Sequence, residues 1–150
     1  MLVEHGADVD GVWRPGYATT NPLSAAAGEG NCEAITILLE NGANIEARLD
    51  PDGENRTALH YAAGGSNLDA VKLLVSNGAN IHAVSNDGST ALHYAVERFT
   101  EMVTERSKLE LVEFLVLQGV DVEARTTGGL SALLKAANSE QGGIVEYLYN

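Results

Sequence analysis

The stretch TALHYAAGGSNLDAVKLLVSNGANIHA (residues 57–83) decides how this chain folds. Thr57 can cap a helix N-terminus, and the small residues Ala62 and Ala63 keep the helix that follows it slim. Asn67 is expected to cap a second helix, in which Leu68, Val71, Leu74 and Val75 recur at helical spacing. Gly78 then stands where a chain leaves a helix through the left-handed conformation. The spacing predicts a helix, a tight turn, a second helix and a glycine stop.

The pattern recurs along the chain. ENGANIEA (residues 40–47), SNGANIHA (76–83) and LQGVDVEA (117–124) superimpose, and EHGADVDG (4–11) is a further copy. Gly6, Gly42, Gly78 and Gly119 lie 36, 36 and 41 residues apart. The upstream block returns as NPLSAAAGEGNCEAITILL from Asn21, as TALHYAV from Thr90 followed by KLELVEFLV, and more weakly as SALLKAAN with GGIVEYLYN. Asn21, Thr57, Thr90 and Ser131 are all capping residue types, and Pro22 suits the first helical position. Asn31 is expected to cap its second helix as Asn67 does, and SKLE (107–110) matches a capping box.

The motif TALH with its alanines, continued by LDAVKLLVSNGANIHA in a unit of about 33 residues, resembles the ankyrin repeat family. The resemblance covers nearly the whole chain as one domain, residues 1–150. It divides into a partial repeat at 1–20, complete repeats at 21–56, 57–89 and 90–130, and a truncated repeat at 131–150; an insertion falls near 96–107. Because both ends fall within repeats, the chain is expected to be a fragment of a longer protein. The fold implied is an all-α solenoid of stacked helix-turn-helix units joined by hairpin-like fingers. The resemblance also implies that His60 pairs with Thr57 and His93 with Thr90, as scaffold beside the helix-ending Gly42, Gly78 and Gly119.

The function implied is a non-catalytic protein-protein interaction scaffold that binds through its concave first-helix face and finger tips. The alternative is a regulatory or targeting module of a larger enzyme, channel or ubiquitin-pathway protein. Carried over by position, the face comprises Tyr61, Gly64 and Gly65, then Ser89, Tyr94, Glu97 and Arg98, then Leu130, Lys135, Asn138 and Ser139. The finger tips add Trp13, Arg14, Asp52, Glu54, Asn86, Asp87 and Thr127.

Departures from the pattern carry their own expectations. Asn21 and Ser24 replace threonine and histidine in the first complete repeat, and Ser131 and Leu134 do so in the last. Gly142 and Gly143 are expected in a helix interior, at about 0.5–1 kcal/mol each, making the last repeat the softest. Thr57 to Thr90 spans 33 residues but Thr90 to Ser131 spans 41, so eight are inserted. Leu92, Ala95, Val96, Phe99, Met102 and Val103 keep helical spacing, which predicts a first helix extended by about two turns. Glu97, Glu101 and Glu105 would then line one face, either solvated or a docking site for a basic or amphipathic segment. Trp13 and Tyr17 in the first finger either anchor a partner or fold back over the N-terminal edge. DPDG in the second finger is turn chemistry, with a calcium site at Asp50, Asp52 and Glu54 the weaker reading.

Lys and Arg total 9 against 21 Asp and Glu, a formal net charge of −12. That balance disfavours nucleic acid, whose binding rests on cationic side chains displacing counterions, and attracts basic partners. The composition is that of a soluble folded protein; no apolar run is long enough to span a membrane, and the N-terminus lacks the regions of a signal peptide. An intracellular location, cytoplasmic or nuclear, is expected. Cys32 is the only cysteine, which leaves no internal disulfide, and it is expected as a buried, inert thiol.

No metalloprotease, nucleophile-elbow, phosphate-loop or dinucleotide motif is present. Of the four histidines, His60 and His93 occupy one place in successive repeats, and translational stacking repeats a side chain without making it converge on a partner. His82 follows GANI at a position that, by the resemblance, can be hydroxylated in related proteins, although Glu46 and Glu123 occupy it in the neighbouring repeats. The expectation is no enzyme, no cofactor, no metal and no small-molecule substrate.

Overall fold

A computed structural model describes residues 8–11, 20–48, 54–97 and 104–150. Among these residues run eight helices and no strand. They come in pairs: α1 (Pro22–Gly28) with α2 (Cys32–Glu40), α3 (Ala58–Gly64) with α4 (Leu68–Ser76), α5 (Ala91–Ala95) with α6 (Glu105–Leu117), and α7 (Ala132–Asn138) with α8 (Gly142–Tyr149). First helices stack α1 on α3, α3 on α5 and α5 on α7, and second helices form another layer, α2 on α4, α4 on α6 and α6 on α8. The all-α repeat architecture is the one the sequence predicts.

Helices of 5 to 13 residues are too short to hold in isolation, so packing must stabilise them. Leu23, Leu59 and Leu92 from the first layer meet Ile35, Leu74, Leu111 and Ile144 from the second in one core, each almost fully enclosed. Burying such a side chain contributes about 1.5–3 kcal/mol. Ala27, Ala62, Ala63 and Ala95 have no exposed surface, which is why neighbouring first helices can approach so closely.

The second helices end alike. At Gly42 (φ +87°) the N–H of Ala43 reaches the Leu38 carbonyl and that of Gly42 the Leu39 carbonyl, both at 3.0 Å. Gly78 and Gly119 repeat the motif, and a Cβ on any of the three would meet nothing within 4 Å. The positive φ alone, not space, asks for glycine. First helices leave through the same conformation at Gly30, Ser66 and Glu140, where φ is +70°, +56° and +57°. A left-handed conformation costs an L-residue about 1–2 kcal/mol, against roughly 0.5–1 kcal/mol of added chain entropy for glycine. Ser66→Gly is therefore expected to raise stability by up to about 1 kcal/mol in urea denaturation, and a loss would contradict the assignment of strain.

Several local expectations are corrected. Helix α5 stops at Ala95, with Val96 as its cap, so it does not run on through Val96. The Val96 carbonyl accepts Gln141 Nε2 at 2.9 Å and the Glu97 carbonyl accepts Lys108 Nζ at 2.9 Å. Residues 98–103, with Phe99, Met102 and Val103, lie outside the described residues. Helix α6 starts under Thr104, whose Oγ1 accepts the Ser107 N–H at 3.3 Å; Ser107 is inside the helix and not its cap. Glu97 and Glu105 thus belong to separate elements and share no face.

Asn31 caps α2, accepting the Ala34 N–H at 3.0 Å, but Asn67 makes no such bond to α4. Its Nδ2 turns back to the Gly28 carbonyl at 2.6 Å and ties two repeats together. A Cβ on Gly65 would come within 2.5 Å of that carbonyl, so Gly65 serves this seam. Gly142 and Gly143 open α8 instead of interrupting it, and the Gly143 N–H donates to Glu105 Oε1 at 2.8 Å. A carboxylate there complements the helix dipole, and the cost of an interior glycine does not apply. Asn21 keeps the start of α1 bonded, since its Oδ1 accepts the Ser24 N–H at 2.7 Å. Ser24 Oγ is left buried without a partner among the described residues. Cys32 is half-buried at the start of α2 and not enclosed as expected.

Candidate partner-binding groove

His60 and His93 are held by the repeats themselves. His60 Nδ1 accepts the Thr57 N–H at 3.0 Å and lies 2.9 Å from Thr57 Oγ1, while Nε2 lies 3.1 Å from the Ala83 carbonyl. A backbone N–H can only donate and a carbonyl only accept, so Nδ1 is bare and Nε2 carries the proton. His93 repeats the geometry, taking the Thr90 N–H at 3.1 Å and giving Nε2–H to the Leu130 carbonyl at 3.1 Å. Each imidazole links the start of a first helix to the base of a following finger. Burial pushes the His60 imidazole down to about 4 and lowers that of His93 as well. Neither ring has a nitrogen left to move a proton.

The fingers are joined to one another through the backbone. The Asn86 N–H donates to the Glu54 carbonyl at 3.0 Å, and the Thr127 N–H donates to the Asp87 carbonyl at 2.7 Å. Within the middle finger Asp87 is caged: Ser85 Oγ donates to Oδ1 at 2.6 Å, the Ser89 N–H to Oδ1 at 3.0 Å and Ser89 Oγ to Oδ2 at 2.8 Å. Burial alone would raise this carboxyl, but those bonds and the nearby Lys135 outweigh it and hold it below its ordinary value.

Between these fingers and the first helices lies a groove of about 270 Å³, lined by Glu54, Arg56, Asp87, Ser89, Tyr94, Glu97 and Lys135. Tyr61, Tyr94 and Lys135 are each the fourth residue of their helix, so stacking brings them into one column. The Arg56 guanidinium fills the gap between the two tyrosines, 5.2 Å from each ring centre, and Lys135 Nζ lies 5.9 Å from the Tyr94 ring. Cations over aromatic faces contribute about 0.5–2 kcal/mol, more as water is excluded. Tyr94 also packs its ring in a T-shaped contact with His60, the ring centres 5.3 Å apart, and donates its hydroxyl to Ser85 Oγ at 3.2 Å. Burial pushes this phenol up, which keeps it a donor. Glu54 pairs with Arg56, and Glu97 Oε1 pairs with Lys135 Nζ at 3.3 Å.

The groove gathers six of the residues named from sequence: Glu54, Asp87, Ser89, Tyr94, Glu97 and Lys135. Tyr61 adjoins them through Arg56. Two of them are not the exposed contacts expected: Ser89 and Tyr94 are only 1% and 5% exposed and form the floor. Asn86 and Thr127 stand exposed at the tips, and Asn138 at the far end of α7 lies outside the groove. Trp13, Arg14, Asp52, Arg98 and Glu101 lie outside the described residues, as do Tyr17 and Asp50. Sequence reasoning missed Arg56. It precedes a helix cap just as Ser89 and Leu130 do, so carrying that position back one repeat finds it.

Among the described residues no three His, Cys, Asp or Glu side chains are grouped to hold a metal ion. No helix among them is long and apolar enough to cross a membrane. The family model described as ankyrin repeats in three copies matches residues 23–105, and a single-copy ankyrin repeat model matches residues 87–127. No curated protein matches the chain. Ankyrin repeats generally mediate protein-protein interaction and are typically non-catalytic. With the paired helices, the threonine–histidine ties and the glycine exits all in register with those matches, the chain belongs to the ankyrin repeat family.

Proposed function

We propose that this chain is a non-catalytic recognition domain that binds a partner protein in the groove between its fingers and first helices. The observation that carries this reading is the column of Tyr61, Arg56, Tyr94 and Lys135, contributed by successive repeats and fixed before any partner arrives. Arginine and tyrosine anchors of this kind dominate binding energy at interfaces, and side chains already held in place lose little entropy on binding. Scaffold positions repeat, histidine on histidine and glycine on glycine, whereas the column position reads Ala25, Tyr61, Tyr94, Lys135. That variation is what a surface specific to one partner needs.

Two of the three described histidines, His60 and His93, have both ring nitrogens engaged by the repeat scaffold, which supports a role without catalysis. A net charge of −12 weighs against a nucleic-acid partner. Affinity capture with the chain as bait, compared with a Glu54→Lys/Glu97→Lys bait, tests the assignment. Partners held by the original chain are expected to fall at least about tenfold on the variant, with little change in melting temperature. Equal capture by both would place recognition elsewhere on the molecule.

A further inference from the structure

We infer that the groove seats a basic side chain, arginine or lysine, from an extended segment of the partner; this rests on the recognition reading above. The charges in the groove are layered. Glu54 and Glu97 are 58% and 37% exposed at the side chain, whereas their partners Arg56 and Lys135 are 24% and 15% exposed. The carboxylates therefore form the rim, and the cations lie beneath them against tyrosine rings. Lys135 is answered by Glu97 and one ring, and Arg56 by Glu54 and two rings, with its Nε alone buried and without a hydrogen-bond partner among the described residues. The rim carboxylates are answered once. Glu54 Oε1 and Glu97 Oε2 accept no hydrogen bond from the described residues.

Asp87 adds a third carboxylate that its serine cage keeps ionised, so three negative groups face two positive ones around the groove. The partly buried cations act as internal counter-ions. They hold the carboxylates in place and leave the outer, unspent oxygens to a donor from outside. A volume of about 270 Å³ is just below the roughly 300–1,000 Å³ of drug-sized ligand pockets, and fits a single long side chain. The field of a chain carrying −12 steers cations toward the groove and repels acidic segments before contact.

The test is selection of random twelve-residue displayed peptides on the chain, followed by affinity measurement of the enriched peptides on two variants. Enriched sequences are expected to share an arginine or lysine at one position. Glu54→Gln/Glu97→Gln should weaken them at least about tenfold, and Lys135→Met, which removes a competing positive charge, should tighten them severalfold. An acidic ligand would give the opposite sign at Lys135→Met. Enriched peptides that are acidic or apolar yet lose binding on the glutamine variant would overturn this inference and leave the recognition reading standing. Peptides indifferent to both variants, or no enrichment at all, would overturn it too. Thermal melting of each variant confirms that the fold is intact.

Discussion

His60→Ala is expected to destabilise the chain by about 3–5 kcal/mol. The imidazole is 1% exposed, and its loss leaves a cavity of aromatic size, which alone costs several kcal/mol. The Thr57 N–H and the Ala83 carbonyl lose their partner at the same time, and a buried group left unsatisfied adds about 1–3 kcal/mol where water cannot reach it. Tyr94 also loses the ring it packs against, so the groove floor should loosen with the scaffold. Urea denaturation measures the first effect, and a loss under about 1 kcal/mol would mean that the ring is not the tie the geometry describes.

Acid is the second large effect. His60 in the unfolded chain takes a proton near 6.5, but in the folded chain only near about 4. Between those values the unfolded state binds more protons, so stability is full above pH 6.5 and falls as the pH falls, with the loss complete below about 4. The interval corresponds to about 3 kcal/mol, and His93, lowered in the same direction, adds to it. Asp87 extends the trend: its depressed carboxyl stabilises the fold above its unfolded value of 3.8 and loses that contribution as the pH drops through its folded value. Relief of self-repulsion in a chain of −12 acts in the other direction. Comparing the chain with His60→Gln separates the two, because only the titrating ring gives a slope that the substitution removes. A pH profile unchanged by His60→Gln would contradict the assignment.

The repeat was legible because every level of the pattern agrees. Capping residue, alanine-rich first helix, apolar stripe and glycine exit each predict the same boundaries, and the stacked helices follow them. Several misses share one cause: residues at the starts of second helices reach the neighbouring repeat instead of serving only their own helix. Asn67 and Gln141 sit at the starts of α4 and α8 but donate to carbonyls one repeat away. Glu105, expected in a row of repelling carboxylates, instead caps α8. No local pattern encodes a bond to a residue about 40 positions distant. The groove was half legible for the same reason: position within the repeat picks out Tyr61, Tyr94 and Lys135, but nothing near Arg56 announces the two rings that enclose it.

Nuclear magnetic resonance titration of the histidine ring nitrogens tests the central claim most directly, that the repeated histidines are scaffold and recognition falls to the groove beside them. His60 is expected to stay neutral, protonated on Nε2, until about pH 4, and His93 to hold the same tautomer and titrate below its ordinary value of 6.5. Rings that titrate near 6.5, or that carry the proton on Nδ1, would be free of their threonine and carbonyl partners and would contradict the account.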